Sequence, residues 1–228
     1  MSGRRKVFCI GLNKTGTTSL GDALASLGYR RSGWHDYTSR RLMHQWLCGD
    51  IEAMARYAAQ YDVLEDFPWP LVYREMADQF PDALFILSVR QSEEAWLSSV
   101  SRHTARRKWI GHKIIYGSYD THNNHHSYLD VYRGHLESVK AYFADKPDRL
   151  LRLSIDETTE WKEICTFIGV PDIPTRPFPR SNSASAQHDL LGLTGLVDRL
   201  FHVVELFVMG LVLPQHILKA IEPEEKHG

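Results

Sequence analysis

Ten residues near the amino terminus, GLNKTGTTSL from Gly11 to Leu20, combine glycine, lysine and hydroxyl side chains in a way that suits an anion. Gly11 and Gly16 keep the glycine spacing of the phosphate-binding pattern G-x-x-x-x-G-K-[ST], but the lysine falls at Lys14, two residues before the second glycine. A glycine turn between a strand and a helix directs backbone N–H groups and the positive end of the helix dipole at one place. A tight turn without a ligand explains the glycines alone, whereas the added cation and hydroxyls favour an anion site.

A second cation, Arg90, ends the clearest strand pattern in the sequence, ALFILSVR from Ala83 to Arg90. Open parallel sheets bind ligands beyond the carboxyl ends of their strands, so Arg90 is expected at the same edge as the glycine loop. Enzymes that transfer a phosphoryl group from a nucleoside triphosphate use magnesium, held in part by a carboxylate. A strand that ends in arginine instead suits a second phosphate group, with a solvated arginine as the alternative.

Strand and helix patterns alternate along the chain and must position these residues. Buried strands are predicted over 6–11, 63–64, 83–90 and 149–155. Helices are predicted over 17–27, 39–47, 50–59, 71–80, 128–143 and 160–170, and another is predicted to begin after Ser92 as its N-cap. This order predicts the α/β class, with an open parallel sheet flanked by helices on both faces.

The composition predicts one well-buried globular domain and excludes several classes. The chain has 228 residues, 43% of them hydrophobic, and a formal net charge of -1, so neither disorder nor a nucleic-acid partner is indicated. The apolar run VFCI after the first basic residues is too short for a signal peptide. Three widely spaced cysteines encode neither a disulfide framework nor a zinc site, so a reducing, cytoplasmic location is expected.

Two of these stretches together resemble the sulfotransferases that use 3′-phosphoadenosine 5′-phosphosulfate (PAPS). GLNKTGTTSL is similar to their 5′-phosphosulfate loop, P-K-[ST]-G-T-T, and FILSVRQSEEAWLSSV is similar to their 3′-phosphate motif, a strand ending in arginine with a serine eight positions later, here Arg90 and Ser98. The resemblance extends from about residue 5 to residue 183. Asn13 stands where many members have proline, which concerns the stiffness of the loop rather than the anion site.

The resemblance implies a fold of the P-loop nucleotide-binding type over 1–187 and transfer of a sulfuryl group from PAPS to a hydroxyl or amine, with no metal. Lys14 would stabilise the leaving oxygen. Arg180 is implied by PFPRSNS, which is similar to a carboxyl-terminal segment that folds toward the nucleotide in relatives. The implied PAPS contacts are Lys14, Thr15, Gly16, Thr17, Thr18, Ser19, Arg90, Ser98 and Arg180.

Sulfuryl transfer also requires a base, and the resemblance points to EDFP, residues 65–68. Cytosolic members carry a histidine at the comparable place, which Asp66 occupies in this chain. A carboxylate can act there if burial raises its pKa toward the working pH. Glu65 is the competing base, expected on the opposite side of the strand end. The alternative for Asp66 is a cap of the next helix.

Two polar stretches are open to more than one interpretation. THNNHHSY places His122, His125 and His126 in one predicted loop, interpreted as a polar loop on the acceptor side, with a metal site as the alternative. RHTARRKW, residues 102–109, is interpreted as a solvated helix end, with a contact to the cofactor or an anionic acceptor as the alternative.

Residues 188–228 are predicted to form a carboxyl-terminal helical extension. Charged residues interrupt its apolar pattern, and the clean stretch 206–213 is far below the ~18 residues of a membrane-spanning helix. Packing on the domain or in a homodimer is expected, with contact to a membrane surface as the alternative. The expected acceptor is a small molecule, a glycan or a lipid. The alternative functions are a nucleotide-dependent kinase or NTPase with a displaced lysine, and a nucleotide-binding module without catalysis.

Overall fold

The protein folds around a sheet of five parallel strands, seen in a computed structural model that describes residues 4–156 and 158–180. The strands are β1 Val7–Cys9, β2 Arg31–Ser32, β3 Val63–Glu65, β4 Leu84–Val89 and β5 Leu150–Ser154. They lie in the order β2-β3-β1-β4-β5, and every pair is parallel. Their carboxyl ends therefore meet at one edge, where the turns after β1, β3 and β4 carry the candidate site residues.

The described residues contain eight α-helices, of which the first seven lie between strands and the last follows β5. They are α1 Thr17–Ser26, α2 Asp36–Leu47, α3 Ile51–Ala58, α4 Tyr73–Gln79, α5 Glu93–Arg106, α6 Ile110–Tyr116, α7 His125–Tyr142 and α8 Trp161–Ile168. The described chain forms two compact units, one of residues 4–96 with 134–180 and one of residues 97–133. The first unit holds the whole sheet, and the second holds α6 with parts of α5 and α7.

Side chains of the central strands alternate between two hydrophobic layers of the first unit. Phe8 and Phe85 are paired in the sheet register and pack with residues of α3, α4 and α7. Cys9 and Ile86, one residue further along, pack instead with residues of α1 and α8. Burial on both faces explains why these strands appear in the sequence as continuous apolar runs.

The predicted α/β fold, an open parallel sheet flanked by helices, is confirmed. Ser92 accepts a hydrogen bond from the N–H of Ala95 over 3.2 Å, as expected of the N-cap of α5. Two elements were not predicted: β2, a two-residue edge strand, and α6. The predicted histidine loop was wrong in part, because α7 begins at His125 and thus includes His126. The predicted domain boundary at residue 187 and the extension over 188–228 lie outside the described residues.

Candidate active site

Both glycines of the loop between β1 and α1 are required by close packing. A Cβ at Gly11 would lie 2.1 Å from the Oγ of Ser88 on β4. Gly16 has a φ of 96°, and a Cβ there would come within 2.6 Å of the side chain of Ile155, the residue after β5. The glycine spacing therefore reflects a loop pressed between α1 and the ends of two strands.

Lys14 also has a left-handed backbone, with a φ of 67°. For a residue with a Cβ this conformation costs about 1–2 kcal/mol, a strain that is typical of ligand-binding turns. Left-handed residues that alternate with others turn successive backbone N–H groups toward one concave side, which can hold an anion. The half-buried Lys14 side chain thus belongs to the turn that leads directly into α1.

The amino terminus of α1 follows this turn and is suited to an anion. Gly16 is its N-cap, and no side chain among the described residues caps it. The N–H groups of Thr17, Thr18 and Ser19 form the first turn, which has no preceding helical carbonyl to bond. Thr17 and Ser19 are buried, whereas Thr18 is half-buried. Positive helix-dipole charge therefore accumulates beside Lys14.

Thr15 and Arg90 hold the loop in place through its carbonyl groups. The buried Thr15 hydroxyl donates to the carbonyl of Leu12 over 2.6 Å and lies 2.8 Å from the Ser88 hydroxyl. Arg90, directly after β4, donates from Nε to the carbonyl oxygen of Lys14 over 2.7 Å. The Thr15 N–H also donates to the Leu12 carbonyl, over 3.3 Å, so the hydroxyl and the N–H of Thr15 both hold the loop. Arg90 lies at the same edge of the sheet as the loop.

Ser98 and Arg180, the other two predicted PAPS contacts, do not belong to the turns after β1, β3 and β4. Ser98 is on α5 in the second unit, where its hydroxyl accepts a hydrogen bond from Nη1 of Arg102 over 2.6 Å. Arg180 is exposed at the end of a segment that returns along α8, where Phe178 packs on the Trp161 ring with centroids 5.2 Å apart. The roles of Ser98 and Arg180 toward a cofactor stay predictions.

Asp66 follows β3 directly and is held in a strained conformation. Its φ is 68°, and its Oδ1 accepts the N–H of Phe67 over 2.8 Å. Burial raises the pKa of the Asp66 carboxyl, while the Phe67 N–H and the charges of Lys14 and Arg31 act in the opposite direction. Since β1 and β3 are neighbouring parallel strands, the turns that follow them place Lys14 and Asp66 at the same edge of the sheet.

Glu65, the last residue of β3, lies on the face of the sheet that packs against α1. It pairs with Cys9 in the register, and only 1% of it is exposed. Its Oε1 accepts Nη2 of Arg31 over 2.5 Å, and Arg31 also contacts Asp22 of α1. Burial, with a smaller effect from the neighbouring Asp66 charge, raises the pKa of Glu65 to about 7, although Arg31 acts in the opposite direction. Glu65 is thus part of a buried ion pair, while Asp66 lies at the strand end.

A comparison with protein-family models identifies the family to which the chain belongs. The model described as "Sulfotransferase domain" matches residues 6–116 and 102–187 of the chain. The chain belongs to the sulfotransferase domain family. A search of curated proteins finds no match. Family membership assigns the protein to the transferases and gives the loop, Lys14 and Arg90 a place in a sulfotransferase domain.

Arg31 lies beside the candidate site but was not predicted from the sequence. It lies on β2, whose two residues carry no hydrophobic run, and only the pairing of β2 with β3 brings it to Glu65. Within the described ranges, no group of three or more histidine, cysteine, aspartate or glutamate side chains could hold a metal ion. No helix of residues 4–180 is long and apolar enough to span a membrane.

Proposed function

We propose that this sulfotransferase domain transfers the sulfuryl group of PAPS to a hydroxyl or amine of its acceptor, with Lys14 and Asp66 as catalytic residues. The observation that carries the proposal is that Lys14 and Asp66 lie in the turns after two neighbouring parallel strands, β1 and β3, and that both have a left-handed backbone. The positive charge of Lys14 lowers the pKa of the Asp66 carboxyl. A leaving-group stabiliser and a base must lie on either side of the sulfur, which a cation and a carboxylate at one edge permit.

The loop fits a phosphosulfate group of this kind. The positions of Gly11 and Gly16 have no room for a Cβ, so the backbone itself forms the surface of the cradle. The start of α1, without a side-chain cap among the described residues, offers N–H donors and positive dipole charge. When bound, PAPS supplies an activated sulfuryl group on a good leaving group. Thr15 to Ser19 would hold its 5′-phosphate, with Arg90, Ser98 and Arg180 as the proposed further contacts.

Lys14 would stabilise the leaving oxygen. Negative charge grows on the oxygen between phosphorus and sulfur as that S–O bond breaks, and an ammonium group placed there lowers the barrier. The carbonyl of Lys14 is fixed by Arg90, so the backbone from which the side chain extends is held before the reaction begins. Fixing a catalytic charge beforehand is worth more than the same charge on a mobile loop.

Asp66 would accept the proton of the acceptor as the new S–O or S–N bond forms. The products are the sulfated acceptor and 3′-phosphoadenosine 5′-phosphate (PAP), and the proton stays on Asp66 until solvent removes it. A carboxyl whose pKa is raised by burial is a better base at neutral pH than an exposed one. The Lys14 charge opposes that rise and keeps the carboxylate available.

For the acceptor and for the cellular location of the protein, we propose only a class. We propose a small molecule, a glycan or a lipid as the acceptor, and neither a nucleic acid nor a metal as a partner. A homodimer through the carboxyl-terminal segment remains part of the proposal. The free thiols of Cys9, Cys48 and Cys165 support a reducing, cytoplasmic location.

Thermal unfolding with different ligands tests this function against its alternatives. A ligand at about 100 times its dissociation constant stabilises the fold by about 2.7 kcal/mol, so binding appears as a higher melting temperature. We expect PAP to raise it and ATP with Mg²⁺ to leave it unchanged. Stabilisation by ATP with Mg²⁺ alone would favour a kinase or NTPase. PAP binding without transfer to any acceptor would favour a nucleotide-binding module.

A further inference from the structure

The indole of Trp96, on α5, contacts the loop between β1 and α1, residues 10–16. Its Nε1 donates a hydrogen bond to the carbonyl oxygen of Asn13 over 3.0 Å. Trp96 is completely buried and Asn13 is 7% exposed, so this bond is shielded from solvent. A buried carbonyl that loses its donor pays the full cost of desolvation, which makes such a bond a strong local restraint.

His135 of α7 makes a corresponding contact at the start of the same loop. Its Nε2 lies 2.7 Å from the carbonyl oxygen of Ile10, the residue after β1. Because a carbonyl can only accept, Nε2 carries the hydrogen. The His135 and Tyr73 rings pack in a T-shaped arrangement, with centroids 5.9 Å apart and planes at 83°, which restrains the orientation of the imidazole.

These two contacts complete a set of donors along the loop. The four carbonyl oxygens and their donors are Ile10 with His135, Leu12 with Thr15, Asn13 with Trp96, and Lys14 with Arg90. A carbonyl oxygen that turned toward a bound anion would repel it. Side chains from α5, α7 and the end of β4 hold these oxygens away from that orientation. The Leu12 carbonyl also accepts the Thr15 N–H over 3.3 Å, which holds the same turn from within the loop.

Asn13 is also the position at which the loop departs from the pattern P-K-[ST]-G-T-T. A proline restrains its own φ covalently, whereas asparagine leaves the backbone free to rotate. The Trp96 bond acts on this same residue and restrains it from outside. The Trp96 hydrogen bond from α5 thus supplies the restraint on the backbone that is lost when asparagine replaces proline.

We propose that Trp96 is a positioning residue that holds the loop in its anion-binding conformation through the Asn13 carbonyl, and that His135 does the same at Ile10. The loop's conformation is a property of the chain alone. Its consequence for PAPS rests on the proposed function.

Trp96→Phe tests the role of the indole, because it keeps an aromatic ring and removes the N–H donor. Trp161→Phe is the matched control: its Nε1 donates to the carbonyl of Arg176 over 2.7 Å, away from the loop. Amide hydrogen exchange of the peptide over 10–20 is measured without ligand. PAP affinity is measured by calorimetry, and the KM for PAPS and for the acceptor by initial rates.

We expect Trp96→Phe to speed exchange in this peptide and to weaken PAP binding, each by about tenfold, or about 1.4 kcal/mol. The KM for PAPS should rise while the KM for the acceptor stays unchanged. Trp161→Phe should change none of these quantities, even if both variants melt at lower temperature. Equal effects of the two variants, or unchanged exchange and PAP affinity in Trp96→Phe, would overturn the proposal.

A second variant and the ligand-free exchange measurement test the positioning role even if Trp96→Phe does not fold or PAP does not bind. If Trp96→Phe does not fold, His135→Phe removes the donor to Ile10 and should produce the same faster exchange over 10–20. Unchanged exchange in that variant would refute the proposal. If the wild type does not bind PAP, the proposed function fails, whereas the exchange measurement still decides whether Trp96 and His135 hold the loop.

Discussion

Arg90 donates its Nε hydrogen to the main-chain carbonyl of Lys14 across 2.7 Å, which joins the end of β4 to the loop between β1 and α1. A change in the position of the Arg90 side chain should therefore also change the backbone position of Lys14. A guanidinium has further donors on its two Nη atoms, so Arg90 can fix the loop and contact a phosphate at the same time. Removal of Arg90 should therefore have two separable effects.

Arg90→Ala should lower kcat/KM for PAPS by about 10–200-fold, the range for one charge-assisted hydrogen bond of ~1.5–3 kcal/mol. Adenosine 5′-phosphosulfate lacks the 3′-phosphate and should lose less, only the part that comes from the loosened loop. Initial rates with both donors measure the difference. Arg149→Ala is the control, since Arg149 also donates to backbone carbonyls, those of Ala77, Phe80 and Ala83. Equal losses for both donors would show that Arg90 does not contact the 3′-phosphate.

Asp66→Asn should lower kcat by about 10²–10⁴-fold, because the amide cannot accept the acceptor's proton. PAP affinity should change little. Asp62→Asn provides a matched control, since Asp62 accepts the Arg30 N–H over 2.8 Å before β3 begins. An active Asp66→Asn combined with an inactive, folded Glu65→Gln would assign the base to Glu65.

The buried Glu65 should make stability fall as the pH rises. Its pKa in the folded state, about 7, lies above the usual value of 4.5 because burial and Asp66 disfavour the charged form. The folded state therefore holds its proton more tightly than the unfolded state does. The resulting stabilisation is fully present below pH 4.5 and is lost as the pH rises through about 7.

Urea unfolding of the wild type and Glu65→Gln across this pH range measures that contribution. Glu65→Gln cannot titrate at this position, so its unfolding free energy should fall less between pH 4.5 and 7 than that of the wild type. Asp22→Asn, which changes the other carboxylate beside Arg31, should retain most of the wild-type slope. Identical slopes for the wild type and Glu65→Gln would exclude the raised pKa.

Turnover should be unchanged by EDTA, because Lys14 and Arg90 supply the positive charge that a metal would otherwise supply. Initial rates before and after chelation are the measurement. A loss of activity that Mg²⁺ restores would support a kinase. A loss that only Zn²⁺ restores would instead direct attention to His122, His125 and His126.

The sequence predicted those parts of the fold and site that depend on local pattern. β4 is a continuous apolar run that ends at Arg90, and the α1 loop contains its glycines and lysine within six residues, so both could be found without a structure. The two-residue strand β2 could not, because its strand state comes from pairing with β3 rather than from its own side chains. Its prediction requires knowledge of the neighbouring strand.

Contacts between residues that are far apart in the sequence could not be predicted from local sequence patterns either. Arg31 meets Glu65 from another strand, and Trp96 reaches Asn13 from α5. In the sequence, each of these residues is an ordinary arginine, glutamate or tryptophan of an amphipathic element. Their roles depend on which carbonyl or carboxylate the folded chain places opposite them, and spacing alone does not contain that information.

Transfer of labelled sulfate from PAPS by the wild type and by Lys14→Met tests the central claim most directly. Methionine keeps an unbranched side chain, one atom shorter than that of lysine, and removes the ammonium group with its charge and its donors. With the best acceptor from a panel of phenols, steroids, sugars and lipids, we predict transfer by the wild type. In single-turnover experiments, the Lys14→Met rate should be lower by about 10²–10³-fold, with PAP affinity changed much less. An unchanged transfer rate in Lys14→Met, or no transfer from PAPS by the wild type to any acceptor, would contradict the account.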